Sequence, residues 1–386
     1  MSQFQAATPA PNIPFNRCLP VGREREYMEQ ALASGILAGD GFFTRACSSW
    51  LRQHVGAAGA LLTTSCTHAL EMSALLLDLQ PGDDVIVPSF TFVSSINAFV
   101  LRGATPVFAD IRPDTLNIDD RLLHSLINMR TKAIVVVHYA GIGCEMDAIL
   151  ATANRAGIPV IEDNAHGIFG KYRGKNLGTF GAMATQSFHE TKNIACGEGG
   201  ALLINDGKLI DRAEVIREKG TDRTRFFRGQ IDKYGWVDLG SSYLPSDLLA
   251  AFLLGQLEAS DVIQVRRQHI WETYRAELAD WAGENRVGLP FVPDYCEQPY
   301  HMFYLLMPTL EIRQAFIAYM KERGITTPFH YVPLHSSPMG LRLGGRRGDC
   351  PVTERISDQL VRLPLFNTMS DDETAIVIKA VREFRC

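Results

Sequence analysis

Ile158-Pro159-Val160-Ile161-Glu162-Asp163 is a short apolar run that stops at two carboxylates. β-Branched residues bounded by turn formers read as a strand buried on both faces, the habit of parallel sheets. Runs of the same kind flank it: Val85-Ile86-Val87, Pro106-Val107-Phe108, residues 133–137 and residues 201–204. Between them the period changes. Residues 68–79 carry Leu70, Ala74 and Leu77 at helical spacing and stop at Pro81-Gly82. Strand–helix alternation from residue 60 to 205 predicts an α/β layer with a mainly parallel sheet. After Gly240 the character shifts. Residues 247–268 read as one long helix, and the remainder mixes helices with short strands, one at 301–307. This second part reads as a smaller α/β lobe. Ligands of open α/β sheets bind beyond the carboxyl ends of the strands, so the loops there carry the functional question.

Bulk composition narrows the classes. The 386 residues are 46% hydrophobic and 21% charged, an ordinary balance for a globular protein. A net charge of -5 gives no global attraction to nucleic acid or to an anionic membrane. No stretch approaches the roughly 20 apolar residues of a membrane span. Residues 1–12 lack the basic and apolar blocks of a secretory signal and read as a flexible tail. The eight cysteines are irregularly spaced with no Cys-x-x-Cys, which argues against a disulfide scaffold or a zinc site and makes the cytoplasm the expected compartment.

Four features carry chemistry. Asp163, at a strand's carboxyl end, can hold a cationic ring nitrogen, because opposite charges favour each other's ionised forms. A strand-end acid is equally a turn or N-cap residue, and His166 nearby is equally a structural hydrogen-bonder. Ser65-Cys66-Thr67 opens a helix, where free N–H groups and hydroxyls make a phosphate site, or simply a Ser cap. Phe92 follows the strand ending at Pro88 and can stack on a planar ring or fill the core. Ser187-Phe188-His189-Glu190-Thr191-Lys192 leads from a small-residue strand into Gly197-Glu198-Gly199-Gly200, which leaves Lys192 open to an aldehyde. Singly each is weak. Together they are what pyridoxal phosphate requires of a protein.

The chain resembles the DegT/DnrJ/EryC1/StrS aminotransferases from Ile13 onward. The motifs that carry the resemblance are Ser65-Cys66-Thr67-His68-Ala69-Leu70, Pro88-Ser89-Phe90-Thr91-Phe92-Val93-Ser94-Ser95, His138-Tyr139-Ala140-Gly141, Glu162-Asp163-Asn164-Ala165-His166 and the run from Ser187 through Asn193. The resemblance implies fold type I: a large cofactor domain over residues 13–245, a small C-terminal α/β domain over 246–386, and a homodimer with active sites at the interface. It implies that Lys192 carries pyridoxal phosphate as a Schiff base and that Asp163 pairs with the ring nitrogen. Phe92 would stack on the ring, Cys66, Thr67 and Ser187 would hold the phosphate, and His166 would lie near the ring hydroxyl. Pyridoxamine phosphate would be the intermediate form of the cofactor. The implied reaction moves an amino group from L-glutamate to C4 of dTDP-4-keto-6-deoxy-D-glucose, giving dTDP-4-amino-4,6-dideoxy-D-galactose. Transfer to a 3-keto sugar nucleotide is the alternative. For the substrate's diphosphate the candidates are Arg223, Arg228, Tyr331 and His335, with Arg225 and Lys233 in the same stretch as the two arginines.

The chain departs from many relatives at Gly240-Ser241-Ser242-Tyr243-Leu244, where a contact to the partner's cofactor phosphate is common, and at Asn164, where Ala is common. Lys192 argues against the related sugar dehydratases, which carry histidine there. No basic face or DNA-binding module supports a regulator, and no Gly-x-Gly-x-x-Gly follows the first strand to support a nicotinamide dehydrogenase.

Overall fold

The structure, a computed structural model, describes residues 12–385. The tail expected over residues 1–12 therefore lies outside the described residues except for Asn12, as does Cys386. A seven-stranded sheet forms the centre, built from β1 (Gly59–Thr63), β2 (Asp84–Pro88), β3 (Thr105–Ala109), β4 (Thr131–Val137), β5 (Val160–Asp163), β8 (Met183–Ser187) and β9 (Gly200–Ile204). Short strands β6 (Lys171–Tyr172) and β7 (Lys175–Asn176) pair with β10 (Cys296–Glu297) in a separate ribbon. The C-terminal lobe contributes β11 (Phe303–Leu306) and β12 (Leu360–Leu363), an antiparallel pair that sets Tyr304 opposite Arg362.

The order across the large sheet is β1-β9-β8-β5-β4-β2-β3. β8, β5, β4, β2 and β3 run parallel, as expected. The run at 201–204, expected to be parallel, is antiparallel to both of its neighbours. The reason is local: the loop from β8 returns without a crossover helix, and a strand reached by such a return must reverse direction. Every residue of β2, β5 and β8 is buried. Alternation along the strands divides the core by face, with Val85, Val87, Ala133 and Val135 in one apolar cluster and Ile86, Ile134 and Val136 in another.

Residues 247–268 do not form one helix. Asp247–Glu258 and Ser260–Asn285 are two helices bent by 63° at Ala259. The first packs in the large lobe beside Glu24–Ser34 and Phe42–Val55, where Gly255 lies so close to Glu24 that an added Cβ would sit 2.6 Å from its backbone nitrogen. The second packs with that large-lobe cluster as far as Ile263 and with the C-terminal core from Ile270 onward. Ile13, bridged to Ile325, joins the C-terminal core. Among the described residues no single helix is long and apolar enough to cross a membrane.

Candidate active site

β2, β4, β5 and β8 end at Pro88, Val137, Asp163 and Ser187, and the loops leaving them meet the first turn of the Cys66–Leu76 helix. These segments form one wall of a cavity of about 960 Å³, whose other wall comes from the C-terminal lobe. Cys66, Thr67, Phe92, Asp163, His166, Ser187 and Lys192, drawn from four separate stretches of the chain, all line it, as does Tyr331.

Strand alternation separates the two acids of β5. Glu162 is fully buried and accepts from the backbone N–H groups of Gly178, Phe180 and Gly181, each at 2.7 Å, with His138 Nε2 2.9 Å away. It ties down the loop that precedes β8. Asp163 is 5% exposed and faces the cavity. Ser95 donates to its Oδ2 at 2.7 Å, and the Ala165 N–H donates to its Oδ1 at 3.2 Å.

Lys192 lies in the tight loop between β8 and β9, closed by Glu190 N–H to Gly197 O at 2.9 Å and Cys196 N–H to Phe188 O at 2.8 Å. Loss of water lowers its amine from the usual 10.5 to about 8; the Cys66 and Asp163 side chains oppose that shift and Arg362 adds to it. At pH 7 roughly a tenth of such amines are neutral, against roughly one in 3,000 at the ordinary value.

Ser65 caps the Cys66–Leu76 helix in an extended conformation, its hydroxyl accepting from His68 N at 3.1 Å. The first-turn amides of Cys66 and Thr67 have no partner within the helix and point out from its start, where the helix field also favours an anion. Thr67 Oγ1 lies 2.8 Å from Ser94 Oγ. Burial pushes the Cys66 thiol well up, which keeps it protonated. Gly200 passes so close behind this turn that a Cβ there would lie 2.4 Å from Cys66 N.

His166 is buried, and burial holds its ring well below the ordinary histidine pKa, hence neutral. The ring stacks on His301 at 4.3 Å and 20°. His301 Nδ1 meets Asn193 Oδ1 at 2.8 Å, and His330 Nδ1 meets Tyr139 Oη at 2.8 Å. His166 Nδ1 is buried with no partner among the described residues. Phe92 is 57% exposed at the rim, its ring 6.4 Å from that of Tyr331.

These residues fit pyridoxal phosphate. Free amides at a helix start suit a phosphate, a buried carboxylate suits a protonated ring nitrogen, and an amine of depressed pKa suits an aldehyde. The orphaned His166 nitrogen matches a ring hydroxyl.

Other expected residues lie elsewhere. Arg223 and Arg228 are outside the lining, Arg228 in a fork with Glu214 at 2.7 and 2.9 Å and Arg223 3.8 Å from Glu218. His335 is also outside it, fully buried between Ser89 at 2.6 Å and Glu354 at 2.9 Å. That Ser–His–Glu line is a strut between the lobes, since Ser89 is itself fully buried and no substrate reaches it. Arg225 and Lys233 are absent from the lining too. In the 240–244 segment, Tyr243 is buried against His68 at 5.1 Å and its carbonyl accepts from Thr64, so it backs the phosphate turn of its own chain. Asn164 turns away from the cavity and donates to Leu177 O at 3.2 Å. Conversely, Phe15, His301, His330 and Arg362 line the cavity without having been singled out. An arginine in the apolar run Leu360-Val361-Arg362-Leu363 was the one sequence signal for them.

A parallel sheet whose strand ends carry an aspartate, a phosphate-type helix start and a half-buried lysine in the cavity defines a fold type I pyridoxal-phosphate aminotransferase. The chain belongs to the DegT/DnrJ/EryC1/StrS aminotransferase family, whose sequence profile matches residues 21–382. It is 34% identical over 379 residues to the spore coat polysaccharide biosynthesis protein SpsC of Bacillus subtilis, covering 96% of each chain. Among solved structures, the aminotransferase TlmJ of Streptoalloteichus hindustanus superposes with a TM-score of 0.88 at 29% identity, covering 96% of this chain and 98% of that one. The Streptococcus pneumoniae protein Spr1654 in its PLP form superposes with a TM-score of 0.89 at 26% identity, covering 96% and 98%. It has also been solved in a PMP form. Pyridoxal phosphate is the cofactor that goes with this family and fold.

Proposed function

We propose that the protein transfers an amino group from L-glutamate to C4 of dTDP-4-keto-6-deoxy-D-glucose, giving dTDP-4-amino-4,6-dideoxy-D-galactose. The observation that carries the transfer is Lys192, its amine lowered to about 8 by burial, in one cavity with the buried Asp163. A saccharide acceptor is supported by the likeness to SpsC, and the dTDP-linked 4-keto sugar is the acceptor that the family resemblance implies. When bound, pyridoxal phosphate supplies an aldehyde that captures amines and a ring that accepts electrons.

The chain's own residues do the rest. Cys66 and Thr67 amides with Ser187 hold the phosphate, Asp163 keeps the proton on the ring nitrogen, and His166 Nδ1 faces the ring hydroxyl. Lys192 Nζ, once released, takes the proton from the donor's α-carbon and in the second half-reaction delivers one to the sugar carbon. Phe92 and Tyr331 position the planar groups from the rim. We place the active enzyme in a cytoplasmic homodimer. Exposed Phe42, Phe227 and Trp236 support a partner surface, and the seven described cysteines, all free thiols, support a reducing compartment. Arg223 and Arg228, outside this chain's cavity, then serve the diphosphate from the partner side.

The test is incubation of purified protein with glutamate and dTDP-4-keto-6-deoxyglucose, with mass and NMR analysis of the product. An equatorial amine at C4, an amine at C3 formed from the 3-keto isomer alone, or no amino sugar from either ketone counts against the reading.

A further inference from the structure

Asn193, the residue after Lys192, has its side chain committed at both ends. It is 1% exposed, and its Nδ2 donates to Pro299 O at 2.6 Å and to Gln264 Oε1 at 3.3 Å. A carbonyl can only accept, so the contact to Pro299 identifies the amide nitrogen and leaves Oδ1 for His301 Nδ1, 2.8 Å away. Oδ1 also only accepts, so Nδ1 carries the ring's hydrogen. Burial holds the His301 pKa well below the ordinary histidine value, with His166, Lys192, Arg267 and His330 adding to the shift, so the ring is neutral. A neutral imidazole protonated at Nδ1 presents a bare lone pair at Nε2. That nitrogen makes no hydrogen bond to a described residue, and His301, only 8% exposed, lines the cavity. Its placement is rigid. Fully buried Arg267 donates to His301 O at 2.5 Å and to Tyr300 O at 3.0 Å, and the His301 ring stacks on His166 at 4.3 Å.

We propose that Asn193 fixes His301 as a hydrogen-bond acceptor for the C3 hydroxyl of the keto sugar, which makes His301 a specificity determinant of the acceptor half-reaction. This rests on the nucleotide-sugar reading above. The amino-acid donor does not suit a lone pair: its carboxylates only accept, and its nitrogen is the atom being transferred. The sugar offers hydroxyls. His301 stands near enough to Lys192 to feel its charge, and Lys192 works at the carbon that receives the amine. Of the two carbons flanking C4, C5 bears a methyl group and the ring oxygen, neither of them a donor. C3 bears a hydroxyl. A buried acceptor left unpaired is costly, so such a site rejects a sugar that lacks this group. Asn193 acts through His301 and is a positioning residue.

The experiment compares dTDP-4-keto-6-deoxyglucose with its 3-deoxy analogue, each reacting with the pyridoxamine-phosphate form of wild type, H301F, H301N and N193A. Wild type prefers the hydroxyl-bearing sugar about 100-fold in kcat/KM. H301F keeps a ring against His166 without the lone pair. Its preference falls to within about 3-fold, whatever general loss of rate the glutamate half-reaction shows. H301N keeps a donor for Asn193 and lacks Nε2, and it carries the test should H301F fail to fold. Nitrogen NMR of histidine-labelled protein, assigned by difference with H301N, shows His301 protonated at Nδ1 in wild type. In N193A both tautomers are present and the preference drops about 10-fold, a change that loosened packing alone would not produce. A wild type indifferent to the 3-hydroxyl overturns the inference, as does a preference that survives in H301F or H301N, or a wild-type ring protonated at Nε2. A wild type that aminates neither sugar overturns the nucleotide-sugar reading itself, before any variant is compared.

Discussion

Ser95 Oγ donates to Asp163 Oδ2 at 2.7 Å, and Thr91 Oγ1 stands 2.7 Å behind Ser95. With its one proton directed at the carboxylate, Ser95 must accept from Thr91, so the two hydroxyls form a one-way chain that ends on Asp163. All three are buried. Hydrogen bonds to a carboxylate are strong and directional, so this chain fixes the orientation of the Asp163 side chain, aimed where the ring nitrogen belongs.

Ser95→Ala should therefore slow the proton-transfer step by about 10-fold, the value of one hydrogen bond to a charged group, with little change in thermal stability. Single-turnover rates with glutamate check this. A rate within twofold of wild type removes Ser95 from its positioning role.

Lys192 predicts a pH-dependent stability in the cofactor-free protein. Its folded value of about 8 lies below the ordinary 10.5, so between those values the unfolded chain binds more protons and stability rises with pH. The penalty of burying the ammonium is fully present below pH 8 and is gone by 10.5. Its ceiling is about 3 kcal/mol, reduced by the part of the side chain that water still reaches. Cofactor-free Lys192→Ala should exceed wild type in urea resistance at pH 7 and match it near pH 10.5, while losing all multiple turnover. A gap that does not close with rising pH contradicts the assignment.

Glu162 and Asp163 are adjacent in sequence and opposite in consequence. Glu162→Gln turns an amide N–H₂ toward backbone donors that need an acceptor, and should destabilise the fold by about 3 kcal/mol. Asp163→Asn should leave the melting temperature nearly unchanged and lower turnover by at least about 100-fold, the scale of losing one electrostatic contact to the reacting system. Unfolding and turnover measured side by side decide it; equal stability losses in the two variants would falsify the division of labour.

That pair also shows what sequence reading can reach. The parallel strands, the capped helix at Cys66 and the loop of Lys192 were visible because each is a local pattern of period and turn residues. Alternation placed Glu162 and Asp163 on opposite faces, but which face met a cavity depended on Gly178, Phe180 and Gly181, distant in chain order. The bend at Ala259 was hidden for the same reason, being set by what the segment packs against, while the reversal of β9 follows from the helix-free return after β8. His301, His330, Phe15 and Arg362 reach the cavity across long sequence gaps, and no periodicity announces such a meeting. His335, buried between Ser89 and Glu354, shows the converse, since a polar side chain in a loop reads alike whether it meets a ligand or an internal carboxylate.

Gly200 supplies the last test. β9 crosses behind the phosphate turn there, paired to Thr63 on one side and Ser187 on the other. An alanine Cβ would meet Ser65 C at 2.3 Å and Cys66 N at 2.4 Å, and those are backbone atoms with no rotamer to escape into. Either β9 leaves its register or the helix start is pushed into the cavity, and overpacking of this kind costs about 3 kcal/mol. Because the displaced atoms are the amides assigned to the phosphate, Gly200→Ala should weaken pyridoxal phosphate binding by at least about 10-fold, more than its effect on melting predicts. Gly207→Ala, at a glycine with open space around it, is the control and should change neither. Fluorescence titration of the cofactor-free proteins measures the affinity, and wild-type affinity in Gly200→Ala means the phosphate is held somewhere other than the turn at Cys66.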